Sequence, residues 1–340
     1  MSTERYDDLV LGSGAGGKLL SWHLARAGRR TAVVERRYIG GSCPNINCLP
    51  SKNEVWSAKV ADLIHHAAAF GVVTGSTAID MRRVRQRKRD MVDGLIAMHL
   101  DQYRASGAEL IMGTARFVGP KTVEVRLDEG GTRTVEGERL FLNVGTHAAI
   151  PPVPGLADAR PLTNIELLEL DRLPEHLVVL GGGYVGLEFA QAYRRFGSRV
   201  TVIDNGEHLL SREDPDVAAE LRRILSGEGI EILLAADVVH AEGRSGDGVR
   251  LQVRTAGGEQ TIAATRSLHH SVLTRKLCGT RKAREDLPHL LRVPFLLNDG
   301  QGGSDYGFGG RRFDPCLYGN RVNETLNARS GHLSHASVEK

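Results

Sequence analysis

Two cysteines five residues apart are the side chains of this sequence best suited to chemistry. Cys43 and Cys48 lie in the stretch GGSCPNINCLPSK, residues 40–52. A helical pattern covers residues 51–70, so Cys48 falls just before or within the first turn of a helix. The dipole and free amides of a helix N-terminus stabilise a thiolate and lower its pKa. Cys43 is near enough to close a small disulfide ring with Cys48, and an exposed or strained disulfide with one acidic thiol is readily reduced and re-formed.

Three other roles for this pair stay open. A structural disulfide suits oxidising compartments rather than the cytoplasm. A zinc site needs two more ligands, and the spacing of the remaining cysteines, Cys278 and Cys316, matches no zinc pattern. The third is a pair of unreactive buried thiols. The redox interpretation is favoured because of two glycine-rich turns elsewhere in the chain.

The first glycine-rich turn is typical of a dinucleotide site. Gly12, Gly14 and Gly17 form a G-x-G-x-x-G pattern after an apolar strand and before a helix, and Glu35 ends the next strand. The three glycines allow a tight turn, close approach of a pyrophosphate to the backbone, and close packing of helix on strand. The helix N-terminus attracts phosphate, and Glu35 is placed to accept hydrogen bonds from a ribose hydroxyl.

A second copy of the pattern predicts a second dinucleotide site. It consists of Gly181, Gly183 and Gly186, with Asp204 at the end of the following strand. A carboxylate at Asp204 would repel a 2′-phosphate, so NADH is favoured over NADPH. Arg212 follows shortly afterwards and could reach a 2′-phosphate instead.

The elements that position these residues form two similar units. Strand–helix–strand patterns begin near residues 7 and 176, and such units build parallel sheets. Alternating segments around residues 109–127 predict a small antiparallel meander, and the rigid IPPVPG at 150–155 marks a domain boundary. The fold class is therefore α/β, with two Rossmann-type domains. The basic run at 81–90 is interpreted as the solvated face of a helix.

Composition excludes several other classes of protein. The 340 residues are 41% hydrophobic and 25% charged, with a net charge of +3 and 5% aromatics. These values favour neither a nucleic-acid nor a membrane partner. No apolar run approaches the roughly 18–20 residues that span a bilayer, and no signal peptide is visible, so the cytoplasm is the expected location.

The cysteine stretch and the two glycine turns resemble those of the class I pyridine nucleotide-disulfide oxidoreductases, also called flavoprotein disulfide reductases. The resemblance covers residues 5–265 and includes LNVGTHAAIPPVPG at 142–155 and GGGYVGLEFA at 181–190. The Pro-Asn-Ile-Asn spacer and SREDPD at 211–216 are similar to those of mercuric reductases and dihydrolipoamide dehydrogenases. The resemblance implies FAD at the first turn and NAD(P)H at the second.

The same resemblance implies roles for individual residues. Cys43 would be the thiol that attacks the acceptor, and Cys48 the thiol that contacts the flavin. Lys52 and Glu188 match an ion pair beside the flavin N5, and Tyr184 matches a residue that gates nicotinamide access. Gly145, in the 142–155 stretch, matches a cofactor contact.

The sequence departs from the family at two places. Asn143-Val-Gly145 stands where the family usually has Ala-Thr-Gly. After residue 265 the second FAD-binding segment and the C-terminal interface domain, through which family members form homodimers, are not recognisable. The resulting division is an FAD-binding domain at 1–150, an NAD(P)H-binding domain at 151–265 and an irregular tail at 266–340, which we interpret as a shifted reading frame or a truncated gene.

The function predicted is electron transfer from NAD(P)H through FAD to the cysteine pair and on to a small disulfide, a metal ion or a quinone. Two alternatives are carried. One is a nucleotide-binding fragment without turnover, and the other is a flavin diaphorase or oxidase that uses no thiol step. No resident metal is predicted.

Overall fold

Strand β1 (Thr3–Leu11) is the centre of the first sheet. In the computed structural model, which describes residues 2–269 and the backbone of residues 273–275 and 291–292, Leu9 and Val10 of β1 are fully buried. These residues belong to one unit that spans Met1–Val293. β1 pairs in parallel on both sides, with β2 (Thr31–Glu35) and with β5 (Thr132–Leu142). A strand buried on both faces explains why its inner half is continuously apolar.

The predicted antiparallel meander is continuous with this sheet. Strand β3 (Glu109–Phe117) pairs in parallel with β2 through its first residues and antiparallel with β4 (Thr122–Leu127) through the rest. β4 then pairs antiparallel with β5. β3 and β5 therefore serve both arrangements, and the meander is an extension of the parallel sheet.

Two helices cover one face of the first sheet. Helix α1 (Ala15–Arg26) and helix α4 (Met81–Ser106) meet where the rings of Trp22 and Tyr103 pack edge to face, 5.5 Å between centroids. Asp80 caps α4 by accepting hydrogen bonds from two backbone amides of its first turn, which is why the helix begins there. The sequence predicted this helix at 80–105, one residue from its observed bounds.

The basic run of α4, residues 81–90, forms ion pairs with carboxylates of a distant part of the chain. Lys88 is buried and paired with the carboxylate of Glu169, which also accepts a hydrogen bond of 2.9 Å from Arg89 Nε. Arg85 lies 3.4 Å from Asp171. The prediction of a solvated helix face is therefore wrong for Lys88, whose buried charge is compensated by Glu169, whereas Arg89 is exposed as predicted.

The second sheet is wholly parallel, with four strands in the order β13–β7–β8–β9. These strands are β7 (His176–Leu180), β8 (Arg199–Ile203), β9 (Glu231–Leu233) and β13 (Arg266–His269). Helices α6 (Tyr184–Phe196) and α7 (Pro215–Gly227) connect the first three. An antiparallel hairpin sheet completes this half, built from β10 (Asp237–Arg244), β11 (Gly248–Thr255) and β12 (Gly258–Ala264).

The second sheet runs four residues past the boundary predicted at 265. β13 aligns Leu268 with Val179 of β7, and both side chains are fully buried. Two short strands follow: β14 (Leu273–Arg275) pairs with β6 (Thr146–Ala148), and β15 (Leu291–Arg292) pairs with β5. The rest of the predicted tail, and the prediction that an interface domain is missing, lie outside the described residues.

One hydrophobic core is shared by the two predicted nucleotide-binding domains. Ala58 and Ala61 of helix α3 (Cys48–His65) pack in the same buried cluster as Phe189 and Tyr193 of α6. Helix α3 begins at Cys48 itself, three residues before the predicted start, and ends at His65 before a 3-10 turn at Ala67–Phe70. Helix α3, which carries Cys48, therefore packs against residues of both predicted domains.

None of the helices in the described part of the chain is long and apolar enough to cross a membrane.

Candidate active site

The loop that carries the first cysteine is tightly folded. Gly40 and Gly41 both have φ of 87°, a left-handed conformation that glycine adopts without strain. The short helix α2 (Ser42–Asn45), which the sequence did not predict, follows at once and holds Cys43. Asn45 Nδ2 donates to the carbonyl oxygens of Ile39 (2.9 Å) and Gly41 (2.7 Å), so the loop is closed on itself.

The structure brings the two cysteines together as an unequal pair. Cys48 is the first residue of α3, and its side chain is exposed. The pKa of Cys48 is lowered to about 6, chiefly by a hydrogen bond from the Cys43 thiol and also by the positive charge of Lys52, against the opposing effect of burial. The same hydrogen bond and burial raise the pKa of Cys43 well above its usual range. At neutral pH the reduced pair is therefore a Cys48 thiolate that accepts a hydrogen bond from a Cys43 thiol.

Lys52 and Glu188 form an ion pair beside the thiolate. Lys52 Nζ lies 2.5 Å from Glu188 Oε2. Lys52 is one turn along α3 from Cys48, and Glu188 is on α6, so packing of these two helices brings the pair together. Both side chains are about half exposed, and we assign them an electrostatic rather than a stabilising role.

The first glycine turn leaves no room for side chains. Gly12 has φ of 100°, and a Cβ at this position would lie 2.2 Å from the carbonyl oxygen of Asn143. A Cβ on Gly17 would lie 2.1 Å from the carbonyl oxygen of Gly12. Gly14 is the N-cap of α1 and provides no side chain to the first-turn amides. The requirement for glycine at Gly12 and Gly17 is thus set by backbone packing of strand against helix.

Ser13 connects this turn to the cysteine loop. Its backbone amide donates to Glu35 Oε2 over 2.8 Å, and its hydroxyl accepts a hydrogen bond of 2.9 Å from the amide of Gly40. The other oxygen of Glu35 accepts from the amides of Arg37 (2.8 Å) and Tyr38 (3.0 Å). Glu35 therefore lies at the turn as predicted, oriented by backbone donors on both of its oxygens.

The second glycine turn repeats this design. Gly181 has φ of 107°, and a Cβ on Gly186 would lie 2.6 Å from the carbonyl oxygen of Gly181. Gly183 begins α6 without a side-chain cap, and a Cβ there would meet open space. Asp204 accepts hydrogen bonds from the amides of Gly182 (2.5 Å) and Gly206 (2.7 Å). The carboxylate is thus fixed at the edge of the turn.

Tyr184 follows this turn and is exposed at the start of α6. Its hydroxyl donates a hydrogen bond to the carboxylate of Glu213, which lies in the loop before α7. Sequence analysis did not identify Glu213 as a partner of Tyr184, because a contact between a helix start and a surface loop leaves no periodic signal.

Asn143 contacts the first glycine turn through its side chain. Its side chain is buried, and Nδ2 donates to the carbonyl oxygen of Gly12 over 3.3 Å, while Oδ1 has no partner. Gly145, two residues on, has φ of 66° and open space around it. The departure from Ala-Thr-Gly therefore places an amide against the glycine turn, with Nδ2 3.0 Å from the Cβ position of Gly14.

Asn164 is a further residue that sequence analysis missed. It lies in the short helix α5 (Asn164–Leu167), and its Nδ2 donates to the carbonyl oxygen of Ile46 (2.6 Å) and to Asn47 Oδ1 (2.7 Å). Asn47 is the N-cap of α3. The segment between the two cysteines is thereby anchored to a residue more than a hundred positions away.

Both turns suit a dinucleotide. Helices α1 and α6 each begin at a glycine with no side-chain cap, so their first amides and the positive end of the helix dipole face outward. A carboxylate stands beside each turn, at Glu35 and at Asp204. Among the described residues no cluster of His, Cys, Asp and Glu is arranged to hold a metal ion.

Several known proteins are similar to this chain in sequence. The chain is 35% identical over 265 residues to mercuric reductase of Streptomyces lividans, which covers 77% of this chain and 56% of that protein. It is 30% identical over 277 residues to dihydrolipoyl dehydrogenase of Bacillus subtilis, covering 79% and 58%. The chain thus spans a little over half the length of these relatives.

The fold is similar to that of a solved flavoprotein. The Cu(II) complex of the HOCl-induced flavoprotein disulfide reductase RclA from Escherichia coli superposes with a TM-score of 0.70 at 30% identity, over 84% of this chain and 60% of that one. This likeness confirms the α/β fold with Rossmann-type nucleotide-binding architecture.

Residues 6–268 also match the sequence model of one family, described as pyridine nucleotide-disulphide oxidoreductase. The match spans both glycine turns, the cysteine pair and β13. Together with the relatives above it confirms the resemblance drawn from the cysteine stretch. The chain belongs to the pyridine nucleotide-disulphide oxidoreductase family of flavoprotein oxidoreductases.

Proposed function

We propose that this chain passes electrons from NADH, by way of FAD, to the Cys43–Cys48 pair and on to a disulfide or metal-ion acceptor. The observation that carries the proposal is the inequality of the two thiols. One is a thiolate at neutral pH, held by a hydrogen bond and a neighbouring cation, and the other keeps its proton. Two thiols that differ in this way are suited to different roles, one facing the flavin and the other reacting with the acceptor.

The first glycine turn would hold FAD. The uncapped amides of α1 would bind the pyrophosphate, and Glu35 would accept from the ribose. When bound, FAD accepts a hydride and delivers two electrons to a disulfide. Cys48, with Lys52 beside it, is the thiol that would face the flavin, because it is the thiolate of the pair.

The second turn would hold the nicotinamide cofactor. Asp204 is fixed by two backbone amides, so its negative charge cannot easily move away from an incoming 2′-phosphate. We therefore propose a preference for NADH. The ratio of kcat/KM for NADH to that for NADPH should fall about tenfold in Asp204→Ala. Arg212→Ala is the matched variant: a further loss of NADPH activity there would assign that arginine to the phosphate.

The acceptor would react with Cys43. Cys43 carries the proton in the resting reduced pair, and it becomes a nucleophile when that proton leaves. The relatives are named mercuric reductase and dihydrolipoyl dehydrogenase, and the solved neighbour is a Cu(II) complex. We propose a soft metal ion or a small disulfide as the acceptor, and a quinone as the less favoured alternative. The proposed compartment is the cytoplasm, whose reducing conditions would keep such a cysteine pair active.

An anaerobic titration of the FAD-reconstituted chain with NADH tests the proposal. The expected result is a long-wavelength charge-transfer band between flavin and thiolate, absent in Cys48→Ser and retained in Cys43→Ser. The band should persist until the pH falls below the pKa of Cys48, about 6. A band of equal strength in Cys48→Ser would contradict the thiol assignment.

Two other outcomes separate the alternatives. A chain that binds FAD and NADH but never bleaches the flavin is a nucleotide-binding fragment. A chain that reduces quinone or oxygen equally well in Cys43→Ser and in the unaltered protein is a diaphorase or oxidase. Turnover with Hg(II), Cu(II), lipoamide or glutathione disulfide that vanishes in Cys43→Ser supports the proposal. Homodimers of the kind formed by the family would be detected by light scattering on the same samples.

A further inference from the structure

A buried lysine–histidine pair lies outside the residues used so far. Lys18, one residue after the first glycine turn, is half-buried, and its Nζ contacts His99 Nε2 of α4. His99 Nδ1 lies 2.5 Å from the carbonyl oxygen of Leu95, an acceptor only. Nδ1 must therefore carry the histidine proton, and Nε2 accepts a hydrogen bond from Lys18. The imidazole is buried, which lowers the pKa of His99 and keeps the ring neutral at physiological pH.

The pair is packed against the loop of the first cysteine. A Cβ on Gly40 would lie 3.0 Å from Cε1 and Nε2 of His99, so the loop backbone rests on the imidazole ring. Trp22 of α1 lies on another side, with 6.0 Å between ring centroids. His99 is thus confined between α1, α4 and the loop, and the nitrogen that binds Lys18 is the one that borders Gly40.

Lys18 and Cys43 act on each other electrostatically. Burial lowers the pKa of Lys18, and a negative charge on Cys43 raises it. In return the positive charge of Lys18 lowers the pKa of Cys43. The other groups that act on Cys43 are the Cys48 sulfur, which raises its pKa, and the backbone amide of Leu49, which lowers it. Within the described residues, Lys18 is the one side-chain cation with a resolved effect on this thiol.

We propose that Lys18, oriented by His99, is the positive charge partner of the Cys43 sulfur whenever that sulfur is negative. The inference rests on the function proposed above, because it concerns the thiol that meets the acceptor. His99 is a positioning residue: it accepts the hydrogen bond that keeps the Lys18 ammonium under the loop.

The partner is needed at two points of the redox cycle. When a two-electron reductant, the reduced flavin or a dithiol, breaks the Cys43–Cys48 bond, both sulfurs become thiolates, and Cys48 is already stabilised by Lys52 and the helix start. Cys43 needs its own positive charge until it takes up a proton from water. It needs the same charge when it loses that proton to attack an acceptor.

Alkylation of Cys43 tests this without flavin or turnover. The full chain carries Cys48→Ser, Cys278→Ser and Cys316→Ser, which leaves Cys43 as its single thiol. The rate of reaction with iodoacetamide is measured against pH for this single-thiol parent and for its Lys18→Met, Lys18→Gln and Lys18→Arg variants. We expect the midpoint to rise by about one pH unit in Lys18→Met and Lys18→Gln, and to stay within about 0.3 in Lys18→Arg, since an opposite charge nearby shifts a pKa by about 1–3 units.

The variants separate charge from shape. Lys18→Gln keeps a hydrogen-bond donor for His99 without the charge, so an unchanged midpoint in a folded Lys18→Gln overturns the proposal. A shift in Lys18→Arg as large as that in Lys18→Met would also overturn it, because packing rather than charge would then be the cause. His99→Leu should show an intermediate rise. The alkylation assay needs no bound FAD. A chain that binds no flavin or has no activity would therefore contradict the proposed function, while the alkylation rates would still test the role of Lys18.

Discussion

Gly41 of the cysteine loop packs directly on Gly14 of the first glycine turn. A Cβ on Gly41 would lie 2.4 Å from Gly14 Cα, closer than any side chain tolerates. Gly41, the N-cap of α2, and Gly14, the N-cap of α1, are therefore in backbone contact. If the first turn binds FAD as proposed, we expect a change in its position to reach the cysteine loop through this contact.

Gly41→Ala is expected to lower both stability and FAD affinity. The left-handed φ of 87° costs a non-glycine residue about 1–2 kcal/mol, and the contact with Gly14 adds to it. Gly28→Ala is the matched control, because Gly28 has φ of 81° and nothing within 4 Å of its Cβ position. Urea unfolding should show a larger loss in Gly41→Ala, and equal losses in both variants would argue against the packing account.

The acidity of Cys48 should depend on Cys43. Removing the thiol donor in Cys43→Ala takes away the main cause of the lowered pKa, so the pKa of Cys48 should rise from about 6 by roughly one unit or more. Cys43→Ser keeps a donor and should show a smaller rise. Thiolate absorbance in the ultraviolet, in a Cys278→Ser and Cys316→Ser background, measures both. An identical titration of Cys43→Ala and the parent would refute the pair as described.

The ion pair between Lys52 and Glu188 should tune the thiolate rather than the fold. Lys52 lowers the pKa of Cys48 and Glu188 raises it, so Glu188→Gln should lower that pKa and Lys52→Met should raise it. Because both side chains are about half exposed, each change should alter the free energy of unfolding by less than about 1 kcal/mol. Glu124→Gln, in an exposed pair with Arg116, is the control and should leave the thiol titration unchanged.

Glu54 should make stability fall as the pH rises. This carboxyl is buried in α3 with Oε1 unpartnered, and burial raises its pKa from 4.5 to about 7. The folded state holds the extra proton between these two values, so the free energy of unfolding decreases across that window and is fully reduced above it. Glu54→Gln should match the parent near pH 4.5 and exceed its stability by up to about 3 kcal/mol at pH 8.

Denaturant titrations at several pH values measure this difference. Tyr193 donates to the carbonyl oxygen of Leu167 over 3.0 Å, and its hydrogen bond with Glu54 lowers the pKa of that carboxyl by less than burial raises it. Glu129→Gln, on an exposed turn, should show no such pH-dependent difference. A stability difference between Glu54→Gln and the parent that is constant with pH would rule out this assignment.

Much of the site could be predicted because its demands are local. Gly17 and Gly186 are required by the backbone of a turn within six residues, and the position of Cys48 follows from the helix after it. The parallel units, the meander and α4 followed from short-range hydrophobic patterns. The domain boundaries and the roles of individual site residues stay predictions, which the experiments above address.

The remainder depends on contacts that distance along the chain conceals. Lys18 contacts His99, and Lys88 pairs with Glu169; in each case the two residues are 81 positions apart in the sequence. Helix α2 has only four residues and contains a proline, too few to show a period. β13 lies where the regular pattern fades, and its placement comes from pairing with β7.

Asn164 also bears on how separable the two halves are. The peptide between the cysteines is tied to this residue, which lies beyond the end of the predicted FAD-binding domain, and α3 shares its core with α6. A protein cut at residue 150 would keep both thiols and the first glycine turn yet lose what holds the thiols in register. The cysteine pair therefore depends on both predicted nucleotide-binding domains, and transplanting it into another protein would require carrying α5 and α6 along.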